Sequence, residues 1–598
     1  MVGQSAKRVW TCLGHRRQPV VVIALAVLLV LPALGSSLVA DDFIHRIRLS
    51  PTLRFAGFDD PPLDLFVFGS GAPQQRRQLM EEGSFAWWTA EGFKMAFWRP
   101  LSVATHVLDH WLWADSSVLM HAHSIVWFAL LLAAVCALYR RFHTPGIAGL
   151  ALLLYAFDDA RGMVLSFVAN RNALIAAVFG VWALIVHDRW RRDGWQPGAL
   201  LAPLLFGAAL LAGESALAIA GYLFAYAVFM DSGTTRRRLA SLAPYALLTV
   251  VWAVVYRTLG YGTHASGLYM HPADEPARFL GALAVRLPIL LLAQIAGPPS
   301  DLWLAYSHPV AVGVYAVALL CLAIAAALLW PLLRRSAVTR FWTLGAVLAA
   351  VPICATFPSD RLLVFVGIGA MGTVASLLTS LRGDALSGTA RRRTLARTVA
   401  AGIVGVHLVI APLLLPLRSL TVVQMGSVFA RVDRSLPGSD QVRDKTVVIV
   451  AAPVDGLVSY VPIWRAARGV PRPRRLRLLT TGTAAVQVTR LDAFTLRLRP
   501  EAGFYGTEIE RMLRSLSQPV VPGYSVSLSD MRVTVTEVTR DGRAAEAEFR
   551  FAVPLEDPSL IWMRWEGDAL VAYDPPPPGT SRPTPPIDLT TAFLGRST

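Results

Sequence analysis

The chain of 598 residues is 54% hydrophobic and 16% charged, with a mean hydropathy of +0.49, which excludes an ordinary soluble globular protein. Its formal net charge of +16 would suit a nucleic-acid binder, yet the Arg residues gather in short loops between apolar stretches and form no aromatic-interleaved basic stripe. No nucleic-acid partner is expected, and the basic loops read as the signature of membrane orientation.

A hydrocarbon core about 30 Å thick needs roughly 20 apolar residues per helix. Pro19 to Ala40 is the first such stretch, preceded by Lys7, Arg8, Arg16 and Arg17. Cytoplasmic loops collect Lys and Arg, so the N-terminus, residues 1–18, is expected in the cytoplasm and Asp41 on the outer face. The Ser-Leu-Val-Ala end resembles a cleavage site, but the run is long for a signal peptide and reads as a retained span. An external loop over 41–117 follows, in which Trp87, Trp88, Phe93, Phe97, Trp98, Trp111 and Trp113 suit helices lying flat against membrane lipid at headgroup level.

Val118 to Leu138 then returns to Arg140 and Arg141, and Gly146 to Phe157 goes out to Asp158 and Asp159. Val164 to Val186 comes back to Arg189, Arg191 and Arg192, and two short spans around Gly213-Glu214-Ser215 form an external hairpin ending at Arg236, Arg237 and Arg238. Leu242 to Tyr256 exits into a polar external or re-entrant loop, 258–308, that carries His264, His271, Asp274 and Glu275. Within it Phe279 to Ile295 reads as interfacial or re-entrant, because a crossing there would put Arg334 and Arg335 outside. Pro309 to Leu332, Phe341 to Phe357, Arg361 to Leu381 and Val399 to Leu417 complete about eleven transmembrane helices within 19–417. Every basic loop is then cytoplasmic and the C-terminus external, as in a multi-pass protein of the cell (inner) membrane.

Past Leu417 a helix through Leu436 leads into segments with a period of two, such as Arg532 to Val538, followed by the hairpin signal Asp541-Gly542. Residues 418–574 are expected to form a mainly β extracytoplasmic domain with one helix near Thr507 to Leu516, and the Pro-rich 575–598 a flexible tail. Cys12, Cys136, Cys321 and Cys354 are the four cysteines, none in that domain, so it holds together by core packing. No Walker loop or GxGxxG string is present, which argues against an ATP-driven transporter.

The acidic pairs Asp41-Asp42 and Asp158-Asp159 both fall at external ends of spans, where carboxylates either do chemistry or merely end a helix in hydrated headgroups. Asn170 and Arg171 sit near another outer end, and Glu214 lies in an apolar hairpin where an acid is costly unless paired or hydrated. His106, Asp109 and His110 share one helix face; His106 and His110 are the weak candidates for holding a divalent cation, against helix packing or headgroup contact. His271 lies in a loop that either closes over substrate or is solvated.

Five short strings, in this order, resemble the GT-C superfamily of polytopic glycosyltransferases: Ala-Asp-Asp-Phe at 40–43, Phe97-Trp98-Arg99-Pro100-Leu101 with Asp109 beyond, Asn170-Arg171-Asn172, Gly213-Glu214-Ser215-Ala216 and Ser359-Asp360-Arg361-Leu362. The likeness is to the bacterial and transmembrane tetratricopeptide O-mannosyltransferase branch and covers roughly the first 380 residues. Unlike that branch, this chain has no tetratricopeptide repeats, has Asn172 where an Asp is common, and has Gly213 where Lys often precedes the Glu.

The resemblance implies transfer of a sugar, a hexose such as mannose, from a polyprenyl-phosphate donor to an acceptor hydroxyl on a protein, lipid or glycan, at the extracytoplasmic face. Asp41 or Asp42 would act as general base, and Arg171, Arg99 and Arg361, in that order, are the donor-phosphate candidates. Asp158, Asp159, Asn170, Glu214, Asp109 and His271 bind substrate or support the fold. A lipid-linked-glycan flippase is the alternative from another class, but should line a path to both faces, whereas these acidic pairs are lopsided. A catalytically inactive envelope scaffold acting through the β domain is a third reading.

Overall fold

The structure, a computed structural model, describes residues 10–59, 61–387 and 389–595. Lys7 and Arg8, part of the expected orientation signal, lie outside the described residues. The chain forms two compact units: Met1–Ser37, Trp98–Leu259 and Glu275–Val422 make a helical unit, while Leu38–Phe97, Gly260–Asp274 and Val423–Thr598 make a second, sheet-containing unit.

In the helical unit and its continuation, eight helices among the described residues are long and apolar enough to cross a bilayer, and Pro145–Ala156, Gly198–Ala212, Glu214–Phe229 and Ala337–Ile353 are shorter apolar helices. The protein is a polytopic α-helical membrane protein. Close packing relies on small residues, as expected where lipid removes the hydrophobic drive between helices. A Cβ at Gly345 would lie 2.3 Å from the Tyr222 ring. Three buried phenols, Tyr139, Tyr155 and Tyr222, donate to the carbonyls of Ile368, Val364 and Phe365 at 2.6, 3.0 and 2.7 Å. Each hydroxyl satisfies itself in an apolar interior by gripping the start of the Val364–Ser387 helix, just after the turn that carries Asp360 and Arg361.

Two expectations are corrected here. The span read from Val164 is broken at Phe167 into a short Ala160–Ser166 helix, a 3₁₀ turn and the Arg171–Asp193 helix, so Arg171 begins a helix rather than following its first turn. Asp158 and Asp159 precede the short helix, and Gly162 in it lets the final apolar helix approach: a Cβ there would meet the Leu415 carbonyl and the Ser419 amide at 2.8 Å.

Pro276–Ala296 is a continuous helix of 21 residues, sufficient in length and composition to cross. Three polar contacts tie it and the turn after it to neighbouring segments. Arg286 donates to the Cys354 carbonyl after the Ala337–Ile353 helix, Gln294 to Asp158, and Ser300 just beyond it to Asp360.

The second unit has a three-stranded sheet, β1 Val67–Ser70, β2 Lys94–Ala96 and β3 Gly262–His264, which joins the 41–117 and 258–308 loops. Its main body holds β4 Thr446–Ala452, β5 Arg475–Thr481, β6 Val486–Arg490, β7 Thr495–Pro500, β8 Ser525–Ser527, β9 Met531–Val538, β10 Ala544–Phe551, β11 Leu560–Glu566, β12 Ala569–Ala572 and β13 Ser581–Thr584. One sheet runs β13-β6-β7-β10-β9-β8 and is antiparallel. The other runs β12-β11-β4-β5, with β4 parallel to both neighbours. Every residue of β4 is buried, as befits a parallel strand covered on both faces.

The parallel β4–β5 pair needs a crossover, and Gly456–Ala467 supplies it as a helix absent from the sequence reading. The expected helix near Thr507 to Leu516 is only a 3₁₀ turn, Glu510–Leu513. The Pro-rich end is not a loose tail: β13 pairs with β6, and Leu589–Leu594 is helical with Ala592 fully buried. Nor do three of the first loop's aromatics lie flat on a membrane. Trp87, Trp88 and Phe93 are buried in the core of this unit, and the Trp87 indole donates to the Leu479 carbonyl at 2.9 Å. The loop therefore divides at Phe97, and the unit begins at Leu38 and resumes at Val423 rather than running from 418 to 574.

Asp455 caps the crossover helix, one oxygen accepting from the Gly456 amide at 2.8 Å, while the other is buried without a hydrogen-bond partner among the described residues. Burial pushes its carboxyl from 3.8 up to about 7. The folded state thus favours the protonated acid; its stabilising preference is complete below about pH 4 and lost as pH rises through about 7. Asp455→Asn keeps the cap without the charge. The variant should melt above wild type at pH 8, by a few kcal/mol in stability, with the difference shrinking toward pH 4; a pH-independent difference in detergent melting curves would refute this.

Candidate functional site

At one end of the helical unit a single guanidinium gathers acids from separate segments. Arg418 Nη2 lies 2.8 Å from Asp301 and 2.7 Å from Asp360, and Nε is 3.9 Å from Asp159. Asp360 also accepts from the Ser300 amide and hydroxyl at 2.8 and 2.7 Å, and Asp301 from the Ser359 hydroxyl at 2.5 Å. Three carboxylates thus share one cation. Burial, then the neighbouring Asp158 charge, pushes the Asp159 carboxyl up to about 6, with Arg418 opposing.

Asp158 belongs to the frame of this cluster. It accepts from the Ala160 amide at 3.0 Å, from Arg161 at 3.1 Å and from Gln294 at 2.7 Å. Arg161 is buried with its guanidinium 4.7 Å from the Tyr155 ring centre. Arg361 is held differently. Its Nη1 donates to Asn170 Oδ1 at 3.3 Å and its guanidinium lies 5.4 Å from the Phe357 ring centre, and among the described residues no carboxylate pairs with it.

The two preferred phosphate candidates are both engaged by acids. Arg171 is fully buried, 2.5 Å from Asp109, and donates to Ser124 at 3.0 Å and the Met120 carbonyl at 2.6 Å. The Trp127 indole donates to His123 Nε2 at 3.1 Å, which leaves the proton on Nδ1, directed at Asp109 from 2.7 Å. Arg171 and Asp109 are therefore a lock between helices, which corrects the ranking that put Arg171 first. Arg99 pairs with Glu214 at 2.8 Å, so the acid in the apolar hairpin is offset by a cation from another motif. His106 is buried and His110 Nδ1 lies 3.0 Å from the His106 carbonyl. No group of three or more His, Cys, Asp or Glu among the described residues is arranged to hold a metal ion.

In the second unit the first acidic pair splits. Asp42 is buried and folds back on its own turn, accepting from the Val39 amide at 3.2 Å. Asp41 is half-buried and accepts from the Tyr460 hydroxyl at 2.6 Å. His271, half-buried, pairs with the exposed Asp274 at 3.3 Å.

Sequence reading missed Arg418, Asp301, Gln294 and Tyr460. Arg418 stood in the chain as one Arg closing an apolar run, and Asp301 as one polar residue in a long loop; only their mutual contacts single them out. Tyr460 lies inside an unremarked apolar segment.

No family model matches this sequence, and no curated protein matches it at a significant level. Among solved structures it is similar to the oligosaccharyltransferase AglB of Archaeoglobus fulgidus in complex with an inhibitory peptide and a dolichol-phosphate, at 12% identity and a TM-score of 0.40, covering 77% of this chain. The chain spans 64% of the length of that enzyme. ArnT from Cupriavidus metallidurans bound to undecaprenyl phosphate overlaps at 13% identity and a TM-score of 0.33, covering 78% of this chain and 90% of that one. These are loose overlays that fix neither a shared chain trace nor a shared chemistry.

The sorting of arginines is open to measurement. Arg171→Ala and Arg418→Ala each strand buried acid and should cost about 3–5 kcal/mol in detergent melting, whereas Arg361→Ala breaks no ion pair and should cost under about 1 kcal/mol. Equal losses at all three positions would show the distinction to be wrong.

Proposed function

We propose that this protein is an integral glycosyltransferase of the cell membrane, with its N-terminus cytoplasmic, that moves a sugar from a polyprenyl-phosphate-linked donor to an acceptor hydroxyl at the extracytoplasmic face. The observation that carries this is Arg361. It lies at the start of an apolar membrane helix, is braced by an aromatic face and an amide oxygen, and is left without a carboxylate among the described residues. A guanidinium so held is available to a phosphate, and its planar fork suits one. The five ordered strings that resemble the GT-C superfamily, one of which contains Arg361, support the same reading.

In the proposed step the acceptor oxygen attacks the anomeric carbon. Its new C–O bond forms as the bond from that carbon to the phosphate oxygen breaks, with inversion. A general base takes the hydroxyl proton, with Asp41 the candidate in the second unit, and the lipid phosphate leaves with the electron pair, with Arg361 the candidate in the helical unit to meet its charge.

The test is transfer from labelled polyprenyl-phosphate sugars by protein reconstituted in vesicles, with a membrane extract as the source of acceptors. Asp41→Asn should lower kcat by 10²-fold or more with little change in melting, within the range set by general-base catalysis. Asp42→Asn should retain activity, and Arg361→Ala should raise the donor KM about tenfold, as loss of one charge-assisted phosphate contact would. Donor crossing the vesicle membrane with no transfer by wild type would replace this reading with the flippase.

A further inference from the structure

Asp41 begins the Asp41–Leu49 helix, and the residue before it, Ala40, has φ +43° and ψ −115°. A non-glycine residue at positive φ is strained by roughly 1–3 kcal/mol and persists only where its surroundings hold it. The local turn supplies part of that hold: Asp42 N donates to the Val39 carbonyl at 2.9 Å while its carboxylate accepts from the Val39 amide. The same turn sends the two acids apart. Asp42 is spent on the backbone, whereas Asp41 is directed to the crossover helix, Gly456–Ala467, where Tyr460 meets it.

From this geometry we infer that Tyr460 is a positioning residue, which fixes the orientation of the Asp41 carboxylate for proton abstraction; the inference rests on the reading of Asp41 as base. The 2.6 Å contact joins residues 419 apart in sequence, so it exists only because the crossover helix packs against the Asp41–Leu49 helix. The Tyr460 ring is itself held, edge-on to Phe429 at 5.9 Å. Burial, then the Asp41 charge, drives the phenol well above its ordinary range, with Tyr269 and Asp455 adding in the same direction, so Tyr460 remains a donor at every working pH. The Tyr460 hydroxyl takes torsional freedom from the carboxylate, and holding the base in attack geometry is worth more to kcat than to binding.

Tyr460→Phe removes the donor and keeps the ring. In the vesicle assay kcat should fall about 10- to 100-fold at unchanged donor KM, the acid limb of the kcat–pH profile should move to higher pH because the carboxylate has lost a hydrogen bond that favours its charged form, and melting should stay near wild type. In an Asp41→Asn background the same change should cost nothing further. Should Tyr460→Phe melt far below wild type, Tyr460→His, which returns an N–H donor, should recover kcat, and failure to do so while folded overturns the proposal. An inactive Asp41→Asn together with wild-type kcat and pH profile in Tyr460→Phe overturns the positioning role alone. An active Asp41→Asn removes the base reading and this inference with it.

Discussion

The helical unit depends on the charge shared at Arg418. One guanidinium reaches Asp301 and Asp360 directly and Asp159 at longer range, and these acids come from three separate loops. With more carboxylate than cation in a partly buried space, each loop is held where the guanidinium can serve it, and burial with acidic neighbours pushes Asp159 and Asp360 each up to about 6. Small packing makes the arrangement possible, since any side chain at Gly162 would push the helix bearing Arg418 away. The turn bearing Asp360 is gripped again from behind by Tyr139, Tyr155 and Tyr222, and Arg361 inherits its position from both constraints.

Arginines in this unit fall into two physical kinds. Arg171, Arg161 and Arg418 are buried or nearly so and face acids, where removing either partner leaves an uncompensated charge. Arg361 is braced by neutral groups, which orient a guanidinium without discharging it. That difference separates arginines committed to ion pairs from one that is not, more sharply than proximity to a span end does. It also moves emphasis from Arg171, the most conspicuous by its motif, to Arg361.

The second unit shows how loops between apolar helices become part of a separate hydrophobic core. Its sheet β1-β2-β3 takes strands from the 41–117 and 258–308 loops, and Trp87 and Trp88 fill an interior built mostly from residues after Val423. The backbone strain at Ala40 and the hydrogen bond from Tyr460 then act on one residue, Asp41, from opposite directions.

Patterns of period and composition were enough to read the apolar spans, the β9–β10 hairpin at Asp541-Gly542 and the polar segments that hold Asp41, Asp159 and Arg361, because each is a local property of neighbouring residues. Aromatic residues are more ambiguous: Trp87 and Trp88 suit a headgroup layer or a protein core equally, and only the presence of β5 and β10 around them chose the core. The Pro-rich end likewise lacks the donors of an ordinary strand, yet β6 offers it an edge, and no local rule announces that edge. The shared guanidinium of Arg418, the lock between Arg171 and Asp109, and the meeting of Tyr460 with Asp41 were decided by tertiary structure alone. Each joins residues far apart in the chain, and a charge or hydroxyl carries no mark in sequence of which partner the fold will bring to it.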